Sequence, residues 1–209
     1  SAASDVYKRQ PHTRLGADLV RHWPSALPPL GEGEYYVVQA YASGLRALGP
    51  AHYGPGPSAP GTGESGPLGQ AGPDLLREME RLGIILDVTH LSDESLDQAM
   101  DLFGGTVWAS HCNCRALVPG DRQLSDEQLK RVIERDGVIG AACDAWMLIP
   151  GWQRGVTTPK SSGVVLSHVV DHIDYVCQLA GDTKHACIGT DLDGGFGREQ
   201  SPGDMDTIT

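Results

Sequence analysis

Two histidines close two matched stretches of this chain. Ile84-Ile85-Leu86-Asp87-Val88-Thr89-His90 and Thr106-Val107-Trp108-Ala109-Ser110-His111 are short apolar, β-branched runs that each stop at an imidazole. They lie 21 positions apart (111 − 90), about one βα repeat. Neutral imidazole is the commonest biological metal ligand, and two of them reaching adjacent strand ends suggest a metal. Asp191 and Asp193 follow a third such run, in Asp191-Leu192-Asp193-Gly194-Gly195. A carboxylate there can orient water, take its proton and pass it on. The same letters also spell an ordinary turn. Arg122, in the loop after His111, presents a guanidinium suited to a substrate carboxylate. His52 ends an earlier strand and can face the same pocket.

Two other groupings offer weaker chemistry. His168 and His172 share a helix face at the spacing zinc proteases use, but the residues between are Val169, Val170 and Asp171, with no Glu beside His168. Cys112 and Cys114 form a single CxC, and a partly exposed thiol beside His111 is the expected reading. His172-Ile173-Asp174 lies in a helix, so its polar side chains diverge.

These residues need a scaffold, and from residue 73 the pattern supplies one. Pro73 and Gly83 bracket a helix over 74–82 with Leu75, Leu76 and Met79 as its buried stripe. A strand follows over 84–88. Ser92 caps a helix over 93–103 that Gly104-Gly105 ends. A strand spans 106–109. Ser125 and Gln128 form a capping box for a helix that stops at Gly137. A strand over 138–143, a helix over 164–180 ended by Gly181, and a strand over 186–190 complete the series. Upstream, 34–43 reads as a short helix and 45–50 as a short strand. Residues 55–72 form a Pro/Gly/Ser-rich loop, of the long kind that is usually functional or mobile.

Strands and helices alternate about five strands deep, and the strands are continuously small or apolar, which implies a sheet covered on both faces. The expected fold class is α/β, a (β/α) TIM-type barrel incomplete at both ends, since a whole one takes about 250 residues. Residues 1–44 form a poorly patterned N-terminal segment and 45–209 the C-terminal part of the barrel.

The chain has 209 residues with 16 Lys+Arg against 27 Asp+Glu, a formal net charge of -11. That balance argues against nucleic acid held through its phosphates. No apolar run approaches the roughly 20 residues of a spanning helix, and no signal peptide is legible. The 5 cysteines are odd in number and scattered, which fits reduced thiols in the cytoplasm.

Several motifs, taken in order, resemble the membrane dipeptidase (renal dipeptidase) family of zinc peptidases. They are Ile85-Leu86-Asp87-Val88-Thr89-His90-Leu91-Ser92-Asp93-Glu94, Ala109-Ser110-His111-Cys112-Asn113-Cys114-Arg115-Ala116-Leu117, Gly137-Val138-Ile139-Gly140 and Ile188-Gly189-Thr190-Asp191-Leu192-Asp193-Gly194. Gly49-Pro50-Ala51-His52-Tyr53-Gly54 and Ala145-Trp146-Met147 look like a bacterial branch of it. The resemblance runs from about residue 45 to 206. It implies an amidohydrolase-type barrel with two zinc ions and a dipeptide substrate. His90 and His111 match zinc ligands, and His52 a substrate-binding histidine that polarises the scissile carbonyl. Arg122 matches the arginine that grips substrate, and Asp191 the catalytic aspartate. Asp193 then reads as a turn or supporting residue. A hydroxide between the metals would attack the carbonyl, and Asp191 would carry its proton to the leaving amine.

The sequence also departs from that family. No His-x-Asp precedes the 45–50 strand. Residues 23–28 hold no carboxylate where a metal-bridging Glu would fall, and Glu32 and Glu34 are displaced toward a helix. Two of five expected metal ligands are present, so this chain is expected to bind zinc weakly and turn over slowly. The other readings are another amidohydrolase barrel such as a lactonase or deaminase, and a non-catalytic barrel remnant that binds or forms a homodimer.

Overall fold

The computed structural model describes residues 32–192, 194, 196 and 200–203. They fall into two compact units, one ending at Trp108 and the other beginning at Ala109. The stretch 23–28 and Asp193 lie outside the described residues.

The first unit runs α1 (Glu32–Ala42), β1 (Ala47–Leu48), α2 (Gly72–Leu82), β2 (Ile85–Asp87), α3 (Asp93–Leu102) and β3 (Val107–Trp108). The strands form a parallel sheet in the order β1-β2-β3, with Leu48 opposite Leu86 and Leu86 opposite Val107. Successive parallel strands need a long connection between them, and α2 and α3 lie in those crossovers. Leu75, Leu76 and Met79 of α2 are buried, as their spacing predicts, together with Leu86, Leu96, Phe103 and Val107. Each such side chain stabilises the fold by about 1.5–3 kcal/mol. Pro73 opens α2, and Gly83 closes it in the left-handed conformation at φ 69°. Helix α1 packs on α2.

The end of α3 corrects the sequence reading. No left-handed glycine terminates it. Phe103 leaves the helix in an extended conformation at φ -94° and ψ 116°, and its ring is buried. The Glu80 carboxylate of α2 accepts the Gly104 N–H at 2.9 Å, which holds the chain in that path.

The second unit carries α4 (Asp126–Glu134), β4 (Ile139–Ala141), a 3-10 turn (Ala145–Met147), α5 (Pro159–Ser162), α6 (Ser167–Ala180) and β5 (Ala186–Ile188). Strands β4 and β5 are parallel, with Gly140 opposite Cys187. Helix α6 packs on α4, β4 and β5. Both halves of the Ser125–Gln128 capping box form. Helix α4 ends earlier than Gly137, because Asp136 takes the left-handed position at φ 56°, a conformation Asp tolerates better than most residues. The expected helix over 164–180 begins only at Ser167, and a separate short helix that the sequence reading lacked precedes it: Thr158 caps α5 and Gly163 ends it at φ 74°. Gly181 closes α6 as expected, at φ 75°.

Candidate functional site

In the first unit the chain leaves β2 through a side-chain turn. Asp87 Oδ1 accepts the Thr89 N–H at 3.1 Å, the local bond by which Asp bends a backbone. His90 follows at φ 71°, a left-handed conformation that non-glycine residues seldom adopt. Its imidazole is buried, and Nδ1 lies 2.9 Å from Thr62 Oγ1. The His52 ring stands 4.4 Å from the His90 ring, and Tyr53 stands 5.1 Å from it. His52 and Tyr53 are exposed. His52 and His90, assigned to one pocket from sequence, are therefore neighbours.

Thr62 reaches His90 because the 55–72 loop is stitched down along its length. Thr62 N–H donates to the His52 carbonyl at 2.8 Å, and the Thr62 carbonyl accepts the Gly54 N–H at 3.1 Å. Ser92 Oγ, besides capping α3, donates to the Gly66 carbonyl at 2.7 Å. Leu68 N–H donates to Gln98 Oε1 at 3.0 Å.

In the second unit Ala109 pairs with Ile139, and His111 lies two residues beyond. The Ser110 carbonyl is pressed against Gly140 and Gly189, where any Cβ would overlap it. His111 Nδ1 is 2.7 Å from Ser110 Oγ, and its Nε2 is 3.9 Å from Asp191 Oδ2. Asp191 leaves β5 at φ 57°, with its carbonyl accepting the Gly194 N–H at 2.8 Å. The turn and the functional reading of Asp191 are thus compatible. Arg122 is buried, with Nη2 donating to the His111 carbonyl at 2.8 Å and Nη1 to Cys112 Sγ at 3.4 Å. It braces the backbone of the histidine it follows.

The cysteines correct an expectation. Cys112 and Cys114 are both buried rather than partly exposed. Burial, then the charge of Asp126 and the neighbouring Cys112, pushes the Cys114 thiol up to about 12. Burial, then Asp191, pushes Cys143 up to about 11. Both thiols are therefore protonated at neutral pH. The His168/His172 pair also divides. His168 Nδ1 meets the Val165 backbone at 3.1 Å, while His172 is buried and accepts the Cys114 N–H at 3.1 Å.

Sequence reading missed Asp144, Thr62 and Ser110. Asp144 is buried just past β4, where it accepts from Trp146 Nε1 at 2.7 Å and Gln200 Nε2 at 3.3 Å and pairs with Arg154 at 3.4 Å. Burial raises its pKa, against the pull of Arg154. Ser110 was visible beside His111 as a hydroxyl. Nothing local to Thr62 points to His90, 28 residues away.

Each unit by itself presents donor types that suit a divalent metal ion such as zinc: the first the His90 imidazole with Nδ1 on a hydroxyl, the second the His111 imidazole with Nδ1 on a hydroxyl and the Asp191 carboxylate. That second hydrogen bond is what orients ligating histidines. Two atoms bound to one zinc at about 2.0–2.2 Å each lie at most about 4 Å apart, and the His111–Asp191 separation falls within that span. Among the described residues no group of three His, Cys, Asp or Glu stands together to hold an ion, so each unit's donors fit in kind and are partial in number.

The chain is similar to known proteins along most of its length. It is 33% identical over 172 residues to an uncharacterised protein encoded in the pqqA 5' region of Klebsiella pneumoniae, covering 78% of this chain and 61% of that protein. The crystal structure of dipeptidase AC, a metallopeptidase of family M19, matches 85% of this chain and 52% of its own at TM-score 0.66 and 29% identity. A Rhodobacter sphaeroides metallopeptidase, liganded with a phosphinate mimic of the dipeptide L-Ala-D-Ala, matches 76% of this chain and 46% of its own at TM-score 0.61 and 29% identity. The chain thus spans roughly half to three fifths of the length of these relatives. The model of the membrane dipeptidase family covers residues 28–207, and the chain belongs to that family, peptidase family M19.

Proposed function

We propose that this chain is part of a zinc-dependent dipeptidase built on an amidohydrolase-type (β/α) barrel. The observation that carries the reading is the second unit's pairing of His111 Nε2 with Asp191 Oδ2, each just past a strand and the histidine held from behind by Ser110. His90 and His111 are the proposed metal ligands. Bound zinc would supply Lewis acidity, lowering the pKa of water from 15.7 toward roughly 7. Asp191 takes a proton from the attacking water and returns it to the leaving amine. His52, exposed beside His90, polarises the scissile carbonyl and steadies its developing charge. Arg122 has five N–H donors. Two are used on His111 and Cys112, and the proposed role of the rest is to grip the dipeptide carboxylate.

The relative liganded with an L-Ala-D-Ala mimic supports a dipeptide as substrate and suggests L-Ala-D-Ala as the first to assay. Catalytic zinc normally has three protein ligands, and His90 and His111 supply two. The 209-residue polypeptide alone is therefore proposed to hold zinc weakly and to turn over slowly. Zinc measured after dialysis, alongside L-Ala-D-Ala hydrolysis with and without added zinc, tests both parts. Slow, zinc-restored hydrolysis that Asp191→Asn lowers at least 100-fold is expected. Two tight zinc equivalents with fast turnover would refute weak binding. The absence of both zinc uptake and zinc-dependent hydrolysis would refute the enzyme reading.

A further inference from the structure

We propose that Thr62 is a positioning residue for His90: its hydroxyl accepts the Nδ1–H and fixes the ring in the tautomer that carries its lone pair at Nε2. The inference deepens the reading of His90 as a metal ligand and rests on it. Four observations converge. The Thr62 Oγ1 to His90 Nδ1 distance is 2.9 Å, and both residues are buried, with relative exposures of 6% and 7%. A hydroxyl can accept from a ring nitrogen or donate to it; with His90 a metal ligand through Nε2, the proton sits on Nδ1 and the Thr62 hydroxyl accepts it. Thr62 is itself pinned at both ends of its peptide unit, to the His52 carbonyl and the Gly54 N–H. Its backbone therefore cannot move away from His90 without breaking the bonds to His52 and Gly54.

The fourth observation is that the path bringing Thr62 there tolerates only glycine before it. A Cβ on Gly61 would sit 1.9 Å from the His52 carbonyl oxygen. The 55–72 loop is thus a built support. It connects the backbone of His52 to the ring of His90, and its far side is fastened to α3, where Ser92 N–H donates to the Pro60 carbonyl at 3.1 Å. His90 itself sits at φ 71°, a strained backbone that surrounding contacts must hold. The second unit shows the same device made locally, in Ser110 Oγ against His111 Nδ1. In each case a hydroxyl occupies Nδ1, the arrangement that would aim Nε2 at a ligand.

The test compares wild type, Thr62→Val and Thr62→Ser. The first measurement is the 15N signature of the His90 imidazole in metal-free protein at one pH where the ring is neutral. Wild type and Thr62→Ser should show a protonated Nδ1 and a bare Nε2, and Thr62→Val a mixture of tautomers. The second is zinc affinity by competition with a chromophoric chelator. Thr62→Val should weaken it about 10- to 100-fold, with recovery in Thr62→Ser. A protonated Nε2 in wild type, or a tautomer indifferent to Thr62→Val, overturns the proposal. If His90→Ala leaves zinc affinity unchanged, the ligand reading of His90 fails, while the tautomer measurement still decides the part played by Thr62. Circular dichroism of Thr62→Val confirms that the comparison is made on folded protein.

Discussion

The two units hold a histidine in the same way with parts of different origin. His111 receives its hydroxyl from Ser110, the residue before it, and Asp191 faces its other nitrogen. His90 receives its hydroxyl from Thr62, 28 residues earlier. It needs a left-handed backbone and a loop tied to the His52–Gly54 backbone and to the start of α3 to get it. A local bond survives most changes elsewhere in the chain. A remote one makes the histidine depend on every residue that holds the loop in place. The difference teaches that the 55–72 stretch belongs to the site as much as the strand ends do.

The comparison is broken most severely at the glycines. In the second unit a Cβ on Gly140 would lie 2.2 Å from the Ser110 carbonyl oxygen, and one on Gly189 would lie 1.9 Å from it. These contacts are backbone to backbone, so no side chain can move aside. Gly140→Ala should cost about 3 kcal/mol or more, a fall in melting temperature of roughly 10 °C for a chain of this size. Gly61→Ala forces the same kind of overlap in the first unit, but on a loop. It should detach Thr62 from His90 with a smaller loss of melting temperature. Thermal unfolding followed by circular dichroism checks the order, and equal losses would show that the loop is as deeply built in as the strands.

How much of this was legible follows from the same contrast. Strands β2 and β3, the Ser92 cap, the Ser125–Gln128 box and the Gly83 stop all lie within a few residues of the signal that gives them away. His90 and His111 were legible because each ends an apolar run. His52, Arg122 and Asp191 took their roles from motif resemblance more than from pattern. The loop over 55–72 was legible as long, Pro/Gly/Ser-rich and of a kind usually functional or mobile, but its bonds to His52, Ser92 and Gln98 leave no periodicity in the sequence and were not legible. The end of α3 was misread for a related reason. Two glycines announced a stop, but the burial of Phe103 and the reach of Glu80 from α2 decided its form. The short helix over Pro159–Ser162 was missed because Gly163 was not weighed as the end of an earlier turn.

A second test separates the units by acid. Burial pulls the His172 imidazole of the second unit down to about 4, with Asp171 pulling the other way. The unfolded chain regains the ordinary histidine value of 6.5. Between those values the unfolded state binds a proton that the folded state refuses, so stability falls as pH drops from about 6.5 toward 4 and is fully present above that window. The loss is on the order of 3 kcal/mol. His172→Asn should flatten this slope while lowering stability at pH 7, because the ring accepts the Cys114 N–H. Urea unfolding midpoints at pH 7 and pH 5, for wild type and variant, give the answer. An unchanged pH dependence in the variant would assign the acid sensitivity to other groups.

The finest test compares the two helix caps. Ser125 caps α4 through a closed box with Gln128 and is only half-buried. Ser92 caps α3, but it is buried, meets Ser95 Oγ at 2.8 Å and donates to the Gly66 carbonyl at 2.7 Å. Replacing Ser125 with Ala removes one side-chain acceptor at a helix end, a loss of about 1 kcal/mol. Replacing Ser92 removes the same acceptor and also leaves the Gly66 carbonyl without that donor. It should therefore cost about 1 kcal/mol more. The excess has a second signature that Ser125→Ala lacks. Ser92→Ala should speed amide hydrogen exchange along the 55–72 loop, including Thr62, while leaving the second unit's exchange unchanged. Equal costs for the two caps, with no loop response, would mean that the Ser92 hydroxyl plays no part in holding the loop.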